Sequence, residues 1–110
     1  MEIRKQKTEK GMLVSVSGRL DAVTSPDFDK EMEGCIAGGE TVLVVDLQGL
    51  EYISSAGLRS ILAVTKKLKA RNGKIVLASL QNMVKEVFEI SGFSKILPIF
   101  SSKEEALSQL

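Results

Sequence analysis

The chain opens with two short stretches in which apolar and polar positions alternate. Residues 2–7, EIRKQK, alternate weakly and are mostly polar, which is typical of an edge strand. In the stretch MLVSVSG, Met12, Val14 and Val16 are separated by single residues, as on one face of a strand. Lys and Gly at positions 10–11 favour a turn between them. The pattern predicts a β-hairpin that closes near residue 11.

The apolar spacing then changes from strand-like to helical. Four residues fall on one face of a predicted first helix: Phe28, Met32, Cys35 and Ile36. Pro26 suits the first helical position, which predicts Ser25 as the N-cap, and two glycines at 38–39 end the helix. The stretch RLDAVTSP, residues 19–26, is therefore predicted to be a loop that leads into this helix.

Three segments are predicted to be further strands. Residues 41–47, TVLVVDL, are β-rich and apolar on both faces, as expected of a central strand with parallel neighbours. KIVLAS, residues 74–79, is a second buried strand, and KILPIF, residues 95–100, is the last. Because Pro98 has no N–H to donate to a ladder, the last strand is predicted to lie at an edge of the sheet.

Three further helices are predicted between and after these strands. The second helix extends from about Ala56 to Asn72, and its inward face is predicted to carry five residues: Leu58, Ile61, Leu62, Thr65 and Leu68. NMVKEVFEISG, residues 82–92, forms the third, with Val84, Val87 and Phe88 inward. Ser102 and Glu105 have the spacing of a capping box for a terminal helix.

These elements predict an α/β fold with the order β-β-α-β-α-β-α-β-α. The chain of residues 1–110 reads as a single domain with a mixed five-stranded sheet and about four helices. Right-handed crossovers place functional loops at the carboxyl ends of the strands. Two loops are expected there: residues 19–26, and QGLEYISSAG at residues 48–57.

The composition argues against nucleic-acid binding and membrane association. Of 110 residues, 44% are apolar and 26% are charged, and the net charge is +1, so no global field attracts nucleic acid or an anionic membrane. No apolar run approaches the roughly 20 residues of a membrane span, and no secretory signal is recognisable, so a cytoplasmic protein with no membrane partner is expected.

The residues that usually carry catalysis are scarce. Histidine is absent, and Cys35 is the single cysteine, on an apolar helical face where a structural thiol is expected. No paired carboxylates flank a plausible cleft, and the glycines lack phosphate-loop spacing. We therefore expect no enzyme activity, no catalytic residue, no cofactor and no metal site.

Two adjacent serines, Ser54 and Ser55, precede the second helix and allow two interpretations. A serine in this position usually caps the helix. It is also a suitable site for phosphorylation, because the N–H groups at a helix start can donate to the phosphate oxygens without unfolding the helix.

The second helix and its end carry five cations and no acidic residue: Arg59, Lys66, Lys67, Lys69 and Arg71. Cations toward the carboxyl end of a helix complement its dipole, an interpretation that we favour over a nucleic-acid surface. Part of this basic face could instead bind an acidic protein partner.

Three stretches resemble one protein family. VVDLQGLEYISSAGLRSIL resembles the signature of the STAS domain, which occurs in bacterial anti-sigma factor antagonists (anti-anti-sigma factors) and in sulfate transporter tails. VSGRLDAVTSPDF and VFEISGFSKILPIFSSKEEAL are similar to the early and closing segments of that family. The resemblance covers nearly the whole chain and implies an anti-sigma factor antagonist.

The resemblance implies a phosphorylation switch. In free-standing antagonists the serine after a signature aspartate is phosphorylated by a partner that is both anti-sigma factor and serine-protein kinase, and a PP2C-like phosphatase reverses it. Alignment on the Ala-Gly-Leu triplet at 56–58 places Ser55 at that position, and Asp21 matches a turn aspartate near it. Ser54 stands where the family usually has aspartate.

The resemblance also implies a partner-binding surface and an oligomeric state. The expected surface comprises nine residues: Asp21, Thr24, Ser25, Ser54, Ser55, Ala56, Gly57, Leu58 and Arg59. Such a protein is expected to be a monomer or weak dimer. The alternative within the family is a non-phosphorylated adaptor subunit of a lipid-transport ATPase or a stress-signalling complex.

Overall fold

The computed structural model describes all 110 residues and contains six strands and four α-helices. In chain order they are β1 Glu2–Lys7, β2 Met12–Leu20, α1 Ser25–Ala37, β3 Val42–Asp46, β4 Leu50–Ile53, α2 Ser55–Lys69, β5 Lys74–Ala78, α3 Asn82–Ile90, β6 Ile99–Phe100 and α4 Lys103–Ser108. One 3₁₀ turn, Phe93–Lys95, lies between α3 and β6.

The strands form one mixed sheet in the order β1-β2-β3-β5-β6, and β4 pairs with β2. β1 and β2 are antiparallel, and every other pair is parallel. The predicted fold class, the hairpin near residue 11 and the edge positions of the first and last strands are confirmed. Pro98 contributes only its carbonyl oxygen to the ladder, accepting from the Leu77 N–H at 2.9 Å.

The prediction of a single loop between the third strand and the second helix was wrong, because β4 lies within it. The sheet therefore has six strands instead of five. β3 and β4 pair with successive parts of the same edge of β2: Ser15 is opposite Asp46, and Gly18 is opposite Leu50. Between these two pairs, residues 47–49 form a turn in which the Leu50 N–H donates to the Leu47 carbonyl at 3.0 Å. Within the β2–β4 pair the register shifts between Gly18 and Arg19, where Glu51 is the extra residue of a bulge.

Several predicted boundaries also differ. The N-cap of α1 is Thr24 and not Ser25, because Ser25 Oγ donates to the Asp21 carbonyl and so does not cap the helix. α2 begins at Ser55 and ends at Lys69, three residues before Asn72, which has a positive φ of 58°. β6 has only two residues: Lys95 ends the 3₁₀ turn, and residues 96–98 form no strand.

The core lies mainly on one side of the sheet. Helices α1, α2 and α3 cover that face with a cluster of 21 buried residues, which includes all four predicted positions of α1. On α2, Leu58, Ile61, Thr65 and Leu68 are buried, but Leu62 is only half-buried. α4 covers part of the second face, over a smaller cluster of five residues. None of the helices combines the length and the apolar character needed to span a bilayer.

The predicted capping box at the start of α4 forms in part. Ser102 Oγ accepts from the Glu105 N–H at 3.0 Å, as expected of an N-cap. The Glu105 carboxylate, however, accepts from the N–H of Ser101 at 2.9 Å and not from that of Ser102. The box is thus displaced by one residue on its return side, so the two N–H groups that it satisfies are those of Glu105 and Ser101.

Candidate functional site

The two predicted functional loops meet because β2 and β4, the strands that lead into them, are paired with each other up to their last residues. Leu20, the end of β2, is opposite Ile53, the end of β4. The Ser54 N–H then donates to the Leu20 carbonyl at 3.0 Å. Asp21 and Ser54 therefore follow directly from neighbouring strand ends, and the structure brings the start of α2 beside the loop that precedes α1.

The loop before α1 is held by the Asp21 side chain. Its Oδ1 accepts from the Val23 N–H at 3.0 Å and from the Thr24 N–H at 3.2 Å, while the Asp21 N–H donates to Thr24 Oγ1 at 2.9 Å. The Thr24 N–H, followed by the Val23 N–H, the Thr24 hydroxyl and the Arg19 charge, lowers the pKa of Asp21 despite opposing desolvation. The carboxylate is thus ionised and committed to shaping the loop.

Ser25 is buried in the first turn of α1. Its Oγ donates to the Asp21 carbonyl at 2.6 Å, and its N–H donates to the same oxygen at 2.8 Å. Only 7% of Ser25 is exposed, so this predicted partner-binding residue supports the loop from below. We expect it to act on a partner only through the loop geometry.

The start of α2 is far less satisfied than the start of α1. Ser54 is the N-cap, but its Oγ accepts from the Gly57 N–H at a long 3.4 Å. The N–H groups of Ser55 and Ala56 have no intrahelical acceptor, as at any helix start. The Ser55 side chain is exposed and its hydroxyl makes no hydrogen bond with the protein.

Gly57 holds α2 against the end of β2. A Cβ at this position would lie 2.6 Å from the Leu20 carbonyl oxygen and 2.8 Å from Ile53 Cγ1. Gly57 was predicted to be a partner-binding residue, but it is buried and the space beside it is taken by the protein's own β2. Leu58, the next residue, is also buried, with 8% exposed.

Of the nine predicted partner-binding residues, six reach the surface. Ser55 and Arg59 are exposed, and four are half-buried: Asp21, Thr24, Ser54 and Ala56. We call these six residues the Ser55 surface. Arg59 lies one helical turn after Ser55 and makes no ion pair.

Three residues beside the Ser55 surface lie within the two predicted functional loops but were not among the nine residues predicted to bind a partner. Val23 is 85% exposed at the tip of the loop before α1. Arg19 stacks over the Tyr52 ring, with its guanidinium carbon 4.2 Å from the ring centroid, and its Nε lies 3.6 Å from Asp21 Oδ2. An apolar residue within a polar loop was a usable signal for Val23. The Arg19–Tyr52 pair depended on the strand pairing that the sequence did not reveal.

The groups available for other chemistry are few. No three acidic, cysteine or histidine side chains converge to hold a metal ion. Burial raises the pKa of the Cys35 thiol, so at neutral pH it is protonated and weakly nucleophilic. The site at the strand ends therefore offers a surface hydroxyl, a helix start and a cation, which suit recognition and modification.

Solved structures share this fold over nearly the whole chain. The crystal structure of an anti-sigma factor antagonist from Mycobacterium paratuberculosis superposes with a TM-score of 0.90 at 24% identity, covering 98% of this chain and 92% of that one. The Bacillus cell fate determinant SpoIIAA in its phosphorylated form superposes with a TM-score of 0.77 at 19% identity, covering 98% of each chain.

Sequence comparison identifies nearer relatives. BtrV of Bordetella bronchiseptica, which is named as an anti-sigma factor antagonist, is 38% identical over 96% of this chain and 91% of its own length. The anti-sigma-B factor antagonist of Listeria monocytogenes is 31% identical over 90% of this chain and 86% of its own length. The family model of the STAS domain matches residues 2–106. The chain therefore belongs to the STAS domain family.

Proposed function

We propose that this protein is an anti-sigma factor antagonist of the cytoplasm, which uses the Ser55 surface to bind an anti-sigma factor and so releases the sigma factor that it holds. Relatives that bear this name are 38% and 31% identical to the chain and match it over at least 90% of its length. The Ser55 surface supports the assignment, because it is the place where two loops at strand ends present exposed groups together.

We further propose that phosphorylation of Ser55 switches this binding off. The supporting observation is the state of the hydroxyls: Ser54 Oγ accepts a cap bond and Ser25 Oγ is buried against a carbonyl, whereas Ser55 Oγ is exposed and unengaged. The kinase is the anti-sigma factor itself, and it transfers the γ-phosphoryl group of ATP to Ser55 Oγ. The hydroxyl proton passes to a base on the kinase, and ADP leaves.

The start of α2 is suited to carry the added group. The unpaired N–H groups of Ser55 and Ala56 and the positive end of the helix dipole favour an anion, so the fold should stay intact. A phosphoserine adds nearly two negative charges at neutral pH. Burying these charges against apolar or acidic groups of a partner is unfavourable, so the contact is lost. A PP2C-like phosphatase resets the switch by transferring the phosphoryl group to water.

The serine at position 54 modifies this switch without removing the acceptor. Ser54 still caps α2, although through a long bond, so the geometry of the first turn does not depend on a carboxylate. A carboxylate at this position would lie one residue from the acceptor hydroxyl and could serve kinase recognition. The Ser54→Asp variant should then be phosphorylated faster than wild type.

The test combines mass spectrometry and binding. After incubation of the protein with its anti-sigma factor and ATP-magnesium, intact-mass and fragment analysis should find one phosphate, on Ser55. Ser55→Ala should bind the anti-sigma factor as wild type does and resist inactivation by ATP. Ser55→Asp should bind about tenfold more weakly or worse.

Thr41→Asp provides a matched control. Thr41 is exposed directly before β3, at the sheet edge opposite the Ser55 surface; its hydroxyl makes no hydrogen bond, and the substitution adds the same charge. It should leave binding unchanged. Equal affinities of wild type, Ser55→Ala and Ser55→Asp, with no phosphate on Ser55, would contradict the switch and favour a non-phosphorylated adaptor.

A further inference from the structure

A second surface lies at the opposite end of α2, away from the Ser55 surface. A groove of about 220 Å³ opens between the last turn of α2, the start of β5 and the segment that leads into β6. Its rim includes Lys69, Lys74 and Ile96, and its floor includes Ile75 and Leu97. We call it the Ile96 groove. Because parallel strands begin at this edge of the sheet, it is at the opposite edge from the Ser55 surface.

The groove is preformed. Ile75 and Leu97 are each only 3% exposed and belong to the main core, so the floor is fixed by packing. At the rim, the Gly73 N–H donates to the Leu68 carbonyl at 2.7 Å and the Lys74 N–H donates to the Thr41 carbonyl at 2.8 Å. A ligand can therefore bind without the cost of ordering these segments.

The rim carries an unbalanced positive charge. Lys69 and Lys74 line the groove, Lys66 lies one turn back on α2, and Lys95 is next to Ile96; all four side chains are exposed. None of the five ion pairs of the protein involves them. By contrast, Lys67 on the neighbouring face of α2 is paired with Glu33 at 2.6 Å.

The helix dipole accounts for only part of this arrangement. It favours Lys66 and Lys69 in the last turn of α2. It does not account for Lys74 and Lys95, which lie on other elements, or for Ile96, which is 50% exposed among them. The groove thus combines one exposed apolar side chain with two unpaired lysines on its rim and two more close by along the chain, so its charge is complementary to that of an acidic partner.

We propose that the Ile96 groove binds an acidic segment of a protein partner that inserts one large apolar side chain against Ile96. The segment's carboxylates pair with Lys69, Lys74 and the two neighbouring lysines. A concave groove favours an inserted side chain over a flat membrane surface. The absence of any aromatic residue among the groove residues disfavours stacking with nucleic acid bases. This site is independent of the proposed Ser55 switch, so one can fail without the other.

The direct test is fluorescence anisotropy with a labelled peptide of glutamates around one central leucine. Saturable one-to-one binding is expected, weakening as sodium chloride rises from about 0.05 M to about 0.3 M. The double variant Lys69→Glu/Lys74→Glu should bind about tenfold more weakly or worse. Ile96→Ser should bind about fivefold more weakly and keep its salt dependence. A peptide with alanine in place of leucine should show the same fivefold loss with wild type.

The matched control is Lys85→Glu/Lys103→Glu, which makes the same charge change on α3 and α4. It should bind the peptide as wild type does. Equal weakening by both double variants would show non-specific attraction and overturn the proposal, as would binding that ignores the central leucine. Binding to vesicles containing phosphatidylserine, or to single-stranded DNA, without binding to the peptide would overturn it in favour of those ligands.

The Lys69→Glu/Lys74→Glu variant should still bind the anti-sigma factor, which separates this test from that of the Ser55 surface.

Discussion

Two helices begin at the same edge of the sheet with a pair of hydroxyl residues, and they use these hydroxyls in opposite ways. At the start of α1, Thr24 Oγ1 accepts from the Asp21 N–H at 2.9 Å and Ser25 Oγ donates to the Asp21 carbonyl at 2.6 Å. At the start of α2, Ser54 makes one cap bond of 3.4 Å and Ser55 makes none. The hydroxyls at the start of α1 are thus used in hydrogen bonds within the protein. At the start of α2, the Ser55 hydroxyl is free to contact another molecule. Residue type alone does not determine which serine is available.

The largest expected effect on stability comes from the packing of α2 against β2. The start of α2 has no hydrogen-bonded loop like the one before α1, so it depends on this packing. Gly57→Ala places a methyl group 2.6 Å from the Leu20 carbonyl oxygen, so α2 must move away from β2. We expect the free energy of unfolding to fall by about 2 kcal/mol, as for overpacked sites. Urea denaturation measures this change.

Gly34→Ala is the matched control for that experiment. Gly34 lies in α1, and a Cβ added there has no neighbour within 4 Å. The substitution should raise the free energy of unfolding by about 0.5–1 kcal/mol, because alanine is the better helix former. Similar effects at the two positions would contradict the close packing of α2 on β2.

Placing a negative charge on Ser25 or on Ser55 tests this difference between the starts of α1 and α2 directly. Ser25→Asp buries a carboxylate beside the Asp21 carbonyl oxygen and should lower the free energy of unfolding by about 1–2 kcal/mol. Ser55→Asp puts the same charge in solvent at the positive end of a helix, so the change should stay within about 0.5 kcal/mol. Urea denaturation of both variants at neutral pH makes the measurement. Equal losses would mean that Ser55 is not free at the surface.

A smaller effect should appear in the pH dependence of stability. The pKa of Asp21 is lowered in the folded protein, so its ionised form stabilises the loop above the ordinary carboxyl value of 3.8. This contribution is lost as the pH falls through the lowered pKa. Asp21→Asn should therefore be less stable than wild type at neutral pH, and the difference should shrink in acid, as urea denaturation across this range would measure. A difference that is constant with pH would contradict an ionised Asp21.

Most of the architecture was predictable because strong periodic patterns mark it. The apolar stripe of α1, the buried central strands and the edge position set by Pro98 are all local signals with one physical meaning. β4 was missed because Leu50–Ile53 has only four residues, too few for alternation to distinguish a strand from a loop. Its existence depends on pairing with β2, which is a tertiary contact.

The details of the site were harder to predict for a related reason. A hydroxyl can donate or accept, so the sequence alone did not distinguish Ser25 as an N-cap from Ser25 as a donor to the Asp21 carbonyl. A glycine permits close approach, but Gly57 is approached by this chain's own Leu20. In both cases the deciding atom is a backbone carbonyl brought near by folding.

The turn at residues 47–49 has a consequence for the position of Ser55 at the edge of the sheet. β3 and β5 end together at Asp46 and Ala78, whereas β2 and β4 continue past them. Four residues of β4 raise the Ser55 turn by roughly 13 Å at the usual strand rise. The Ser55 turn therefore lies beyond the ends of β3 and β5, at the end of the paired strands β2 and β4. A molecule that contacts Ser55 there need not displace either central strand.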